Sequence, residues 1–104
     1  MIYFIDSNIF LRVFVKENPN TYGECYTFLE QVKTNSIHAV TSSLVLAEVH
    51  WTLLSFYRFS KKEVIEALKS ICHLNGLTIV DEVDHDEALF LYETASIFVF
   101  RLDS

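Results

Sequence analysis

The N-terminal segment constrains the fold most. It contains an unbroken apolar run that ends at an acidic residue, and the apolar residues that follow are spaced as in a helix. The run is Ile2–Ile5 and the acid is Asp6. A run this short, built from β-branched and aromatic residues, predicts a buried strand of a parallel sheet. Ser7 and Asn8 are helix-capping types. Apolar residues then recur at helical spacing, at Ile9, Phe10, Val13 and Phe14. Asp6 is therefore expected at the edge where open α/β sheets build their sites, although helix capping alone explains it equally well.

The rest of the chain alternates strand and helix patterns. Helices are predicted from Pro19 to about Lys33, from Leu44 to about Arg58, from the Ser60–Glu63 capping box to Asn75-Gly76, and over Ala88–Tyr92. Strands are predicted over Ile37–Val40 and Leu77–Val80, and Ile97–Phe100 fits either a last strand or the start of a helix. This alternation predicts an α/β fold, with a parallel β-sheet flanked by α-helices.

Composition narrows the classes of function. A length of 104 residues with 51% hydrophobic side chains predicts one domain with a real core. The net charge of −6 argues against a protein that binds nucleic acid through overall positive charge. It is compatible with an acidic site that holds a metal ion and has basic residues around it. Cys25 and Cys72 form no C-x-x-C pattern, which favours a reduced, cytoplasmic chain with two buried thiols. No signal peptide or membrane-spanning run is expected.

Glu48 is the second informative acid, because it lies inside the most apolar helix of the chain, which we expect to be central to the fold. None of the four neighbours at three or four positions from Glu48 is basic; they are Leu44, Val45, Trp51 and Thr52. A buried carboxylate there needs a distant cation, a helix N-terminus or a metal ion. The alternative is an exposed stripe that Glu48 shares with Thr52 and Ser55.

Together the two acids make a sharper hypothesis. If the first two strands are neighbours, Asp6 and Glu48 reach the same edge of the sheet. Carboxylates gathered without matching bases repel one another unless a hard cation lies between them. Mg²⁺ or Mn²⁺ is the natural ligand of such a site, and it can activate water and stabilise charge on a phosphodiester.

Two segments resemble the acidic motifs of a known family. Ile2–Arg12 resembles the opening motif of PIN domains, and Thr41–Trp51 resembles their second acidic motif. Tyr57–Glu63 and Leu77–Asp81 fit the same pattern in order. The likeness covers residues 1 to about 92 and is closest to VapC-like toxins, which are PIN-domain ribonucleases paired with an antitoxin.

The resemblance implies a Rossmann-like three-layer fold and an endoribonuclease that uses Mg²⁺ or Mn²⁺. Asp6 and Glu48 match the first two metal-binding acids of the family, and the Ser7 hydroxyl matches a group that supports the site. These three are the implied catalytic residues. Asn8, which matches the family's next residue, and Arg12 are assigned to RNA binding.

The C-terminal region departs from the family pattern. Where a third acid is expected, this chain has Arg101, and Asp103 follows two positions later as the remaining candidate for a third metal ligand. The family continues through a further helix and strand. Residues 1–104 are thus expected to be a single incomplete PIN-like domain, truncated or frame-shifted. The alternative function is an inactive remnant that acts as an interaction or oligomerisation module.

Self-association is the last expectation. Missing elements would uncover apolar surface near the C-terminus and at the end of the central helix. The residues concerned are Phe90, Phe98, Val99, Phe100, Trp51, Phe56 and Tyr57. A homodimer or higher oligomer is predicted, with the segment from Ile97 packed across the interface or exchanged between subunits. His50 is assigned to the core or to an interface. An antitoxin is a further expected partner, and no membrane is expected.

Overall fold

The computed structural model describes residues 2–81 and, as a strand, residues 97–99. In chain order the elements are β1 (Ile2–Phe4), α1 (Ser7–Val15), α2 (Pro19–Lys33), β2 (Ala39–Ser42), α3 (Ser43–Ser55), α4 (Lys61–Cys72), β3 (Leu77–Val80) and β4 (Ile97–Val99). The predicted helix over Ala88–Tyr92, together with Arg101 and Asp103, lies outside the described residues.

The four strands form one parallel sheet in the order β3-β2-β1-β4. Tyr3 is level with Ala39 of β2 and with Phe98 of β4, so β1 has a partner on each side. The prediction of an α/β fold with a parallel sheet flanked by helices is confirmed. Ile97–Val99 is a strand, which resolves the ambiguity of that segment.

The described helices pack side by side. α1 contacts both α2 and α3, and α3 contacts α4, which gives a layer in the order α2-α1-α3-α4. The Tyr3 ring packs edge-on against Phe28 of α2, with ring centres 5.3 Å apart, so the layer covers the face of the sheet that carries Tyr3. The core between them includes the fully buried Ile5, Phe10 and Val49.

The boundaries of β2 and α3 differ from the predicted ones. β2 begins at Ala39 rather than Ile37 and extends through Thr41 and Ser42, because these two residues pair with Ile79 and Val80 of β3. The Ser42 hydroxyl still caps α3, accepting a hydrogen bond from the Val45 amide at 3.1 Å. α3 ends at Ser55 rather than near Arg58, whose φ of 57° is left-handed and ends helical propagation.

α3 is not enclosed on all sides, contrary to the expectation from its composition. Among the described residues, the side chains that bury α3 lie on one face and are Val45, Val49 and Leu53. On the other side Leu44 is 55% exposed and Trp51 is 67% exposed. The expectation of two buried thiols was also wrong in part, since Cys25 is buried but Cys72 is exposed on the outer side of α4.

Gly76 does not cap a helix as predicted, because α4 already ends at Cys72. Instead Gly76 is buried where the chain enters β3. Its amide donates to the Val32 carbonyl at 2.9 Å, and its own carbonyl accepts from the Ala39 amide at 2.9 Å. A Cβ at this position would overlap the carbonyl oxygen of Ile37 and lie 2.9 Å from that of Val32. Glycine is therefore required here for close backbone approach.

The two glycines of the chain provide a matched test of this packing. Gly76→Ala should destabilise the fold by about 2–3 kcal/mol, because neighbouring backbone has to move. Gly23 lies exposed within α2 with nothing within 4 Å of an added Cβ. Gly23→Ala should therefore stabilise the fold by about 0.5–1 kcal/mol. Urea unfolding of both variants measures the two changes, and equal effects would contradict the close approach at Gly76.

Candidate functional site

Among the described strands, the order reverses at β1, and Asp6 lies beside this point. From β1 the chain steps to β2 and then β3, and it returns to β4 on the opposite side of β1. In open α/β sheets, ligands bind outside the carboxyl ends of the strands at this reversal. Asp6 comes two residues after Phe4, the last residue of β1. The edge predicted from the N-terminal sequence is thus also the reversal point of the sheet.

Asp6 caps α1, as the simpler interpretation held. Its Oδ1 accepts a hydrogen bond from the Ser7 amide at 2.8 Å, and the Ser7 hydroxyl lies 3.5 Å from the same oxygen. The side chain is exposed and makes no ion pair with any of the described residues. Capping therefore engages one carboxylate oxygen, and the other has no hydrogen-bond partner among residues 2–81. Ser7 supports the carboxylate mainly through its backbone amide.

The backbone before Asp6 is held firmly to β2. The Ile5 amide donates to the Val40 carbonyl at 2.9 Å. The Thr41 hydroxyl, which is fully buried, donates to the Ile5 carbonyl at 2.9 Å. This side-chain bond lies where the strand pairing of β1 ends, so it fixes the point from which Asp6 leaves the sheet.

Glu48 lies about one and a half turns into α3, the helix that begins at the carboxyl end of β2. Because β2 is next to β1 and α3 packs on α1, the helix that carries Glu48 begins at the edge of the sheet where Asp6 lies. The Glu48 side chain is exposed. It needs no compensation for burial, so the exposed-stripe interpretation is correct in this respect, with Ser55 exposed and Thr52 half-buried.

Asp81 is an acid at this edge that the sequence reasoning missed. The Ser43 hydroxyl donates to Asp81 Oδ1 at 2.9 Å and joins the first residue of α3 to the residue after β3. Asp6, Ser43 and Asp81 thus follow three adjacent strands. The signal was present in the sequence, because Asp81 ends an apolar run just as Asp6 does.

Asn8 and Arg12, the predicted RNA-binding residues, line one cleft of about 150 Å³ that follows α1 to the N-terminus of α2. The cleft is completed by Leu11, Val15, Glu17, Asn18, Thr21 and Tyr57. Arg12 is half-buried and forms no salt bridge with the described residues. Burial raises the pKa of the Cys25 thiol to about 11, and the positive charge of Arg12 lowers this pKa in part. A cation that has no partner in a polar cleft is suited to binding a phosphate.

The side chains at this edge can be matched to the ligands that Mg²⁺ and Mn²⁺ prefer. Within residues 2–81, no group of three or more His, Cys, Asp or Glu side chains is placed to hold a metal ion. Asp6 and Glu48 offer carboxylate oxygens, the ligand type that Mg²⁺ and Mn²⁺ prefer, and Mg²⁺ commonly binds through one or two carboxylates plus water. The carboxylates of Asp6 and Glu48 therefore fit these ions in donor type, and the described residues provide no larger cluster.

Comparisons with family models, with curated proteins and with solved structures find no match to this chain. Membership of the PIN family, suggested by the N-terminal motifs, therefore stays a prediction. Among the described residues, no helix is both long and apolar enough to cross a bilayer.

The Thr41 hydroxyl provides a test of how the site is held. Thr41→Val should lower the free energy of unfolding by about 1–2 kcal/mol, since it removes a buried donor from the Ile5 carbonyl. Thr78→Val is the matched control, because Thr78 is exposed on β3 and its loss should change stability by less than about 0.5 kcal/mol. Urea unfolding compares the two variants, and equal losses would show that the hydroxyl does not fix the end of β1.

Proposed function

We propose that this protein is a PIN-like endoribonuclease that depends on Mg²⁺ or Mn²⁺, with Asp6 and Glu48 as its metal-binding carboxylates. The observation that carries the proposal is the position of Asp6 at the reversal point of the sheet, where open α/β folds bind their ligands. The sequence likeness to PIN domains supports the same activity.

Each residue of the site has a role that its surroundings permit. Asp6 and Glu48 are exposed and without ion pairs among the described residues, so their charge is available to a cation. When bound, such an ion supplies an activated water and neutralises charge on the phosphodiester. Ser7 orients the Asp6 carboxylate through its amide. Arg12 holds an RNA phosphate by charge-assisted hydrogen bonds, and Asn8 contacts the adjoining nucleotide. Asp103 is proposed as a further metal ligand.

The expected partners follow from the same proposal. Ribonucleases of the VapC type are kept inactive by an antitoxin protein. We therefore propose that this protein is cytoplasmic, binds an antitoxin and forms a homodimer. The net charge of −6 agrees with an enzyme whose grip on RNA is local, at Arg12, rather than spread over its surface.

An interaction module without catalysis is the second candidate. The observation that favours it is the exposed apolar side of α3, where Leu44, Trp51 and Leu54 are 55%, 67% and 37% exposed. Surface of this kind on a folded domain commonly marks a site of protein association.

Cleavage of RNA by the purified protein separates the two functions. Asp6→Asn removes the charge but retains a good helix cap, so the fold is preserved. The cleavage rate in Mn²⁺ should fall by more than about 100-fold, since even groups that only support metal ligands contribute 10–100-fold.

The control is Glu66→Gln, which removes an exposed carboxylate from α4, away from this edge of the sheet. It should leave the rate within about twofold of the wild type. Cleavage that survives Asp6→Asn would refute the role of Asp6, and no cleavage by the wild type would favour the interaction module.

A further inference from the structure

The outer side of α3 carries a regular apolar stripe. Leu44, Ala47, Trp51 and Leu54 follow one another at intervals of three, four and three residues. All four are exposed, whereas the side chains that fasten α3 to the fold lie on its opposite face. The spacing is that of the a and d positions of a coiled coil, where apolar side chains meet a second helix.

The stripe is complementary to itself. When two copies of α3 lie antiparallel about a twofold axis at the level of Val49, Leu44 of one copy faces Leu54 of the other. In the same arrangement Ala47 faces Trp51, so that the largest side chain meets the smallest. A twofold interface uses the same patch on both subunits and therefore requires such self-complementarity. The spacing supplies it at all four positions.

We propose that the protein forms a homodimer through antiparallel pairing of α3 with α3 of a second copy. This specifies the interface of the dimer included in the proposed function, and it depends on neither metal binding nor nuclease activity. It also differs from a dimer built on the segment from Ile97. His50, which is exposed rather than in the core, flanks the pairing on one side and Glu48 flanks it on the other.

The available area predicts a modest affinity. Leu44, Trp51 and Leu54 together expose roughly 350 Å² of side chain per protomer, and the flanking residues bring the total for two copies to about 1,000 Å². This total is at the low end of specific interfaces, a size that is typical of weak or transient association. The two Glu48 carboxylates come close together beside the axis, so screening by salt should tighten the dimer.

Trp51 allows this dimer to be followed directly, because it is the single tryptophan of the chain. On dilution from about 100 µM to about 0.1 µM, its emission should shift to longer wavelength as the indole becomes exposed to water. Light scattering over the upper part of this range should show the change from dimer to monomer. A monomer at every concentration would overturn the proposal.

Substitution tests the surface. Trp51→Ala should weaken the dimer by at least about tenfold, measured by sedimentation equilibrium, because a central tryptophan commonly dominates an interface. Ile65→Ala is the control, since Ile65 is an exposed apolar residue of α4 away from the stripe, at 42% exposure. It should leave the dissociation constant within about twofold. A dimer that is unaffected by Trp51→Ala would overturn the proposal.

Cross-linking tests the orientation in a Cys72→Ser background, which removes the exposed native thiol. In the antiparallel pair, the two copies of residue 50 are only about 3 Å apart along the helix axis, whereas those of residue 55 are about 18 Å apart. Residue 50 flanks the contact between helix axes about 8–10 Å apart, which is too far for a direct disulfide, so a bis-maleimide with a spacer of roughly 10 Å is the suitable reagent. It should join two copies of His50→Cys and should not join two copies of Ser55→Cys. Equal cross-linking of both variants, or none for His50→Cys, would overturn the antiparallel arrangement. Both results are independent of RNA cleavage.

Discussion

Parallel pairing of β1 with β2 on one side and β4 on the other is the constraint on which the rest of the structure depends. Parallel strands end at a common edge, so the residues that follow them are brought together even though they are distant in sequence. Asp6 after β1, Ser43 after β2 and Asp81 after β3 share this edge. The buried hydrogen bond from Thr41 to the Ile5 carbonyl fixes the end of β1 there.

Helix capping and ligand binding are compatible at Asp6, although they were considered as alternatives from the sequence. The cap engages one oxygen of the carboxylate, and exposure keeps the other available. A residue also has two roles at the start of α3, where Ser42 is the last residue of β2 and caps the helix. Short connections at this edge hold the acids on strands and helix ends rather than on long loops, which keeps their positions precise.

Local signals allowed much of the fold to be predicted. Asn18 and Pro19 marked the start of α2, and Ser60 with Glu63 formed the expected capping box, because these effects involve neighbours in sequence. Tertiary effects could not be predicted from sequence alone. The role of Gly76 depends on Val32 and Ile37, which only the folded chain brings near. Of the stripe on α3, Trp51 was expected at the surface but Leu44, Ala47 and Leu54 were not, since composition does not tell which apolar faces find a partner.

Thermal unfolding in the presence of Mn²⁺ tests most directly whether Asp6 is a ligand of a divalent cation. A ligand that binds only the folded state stabilises it by about 1.4 kcal/mol when its concentration is about tenfold above the dissociation constant. The melting temperature of the wild type should therefore rise with millimolar Mn²⁺, and this rise should disappear in Asp6→Asn. An unchanged melting temperature of the wild type, or an equal rise in both proteins, would contradict the account.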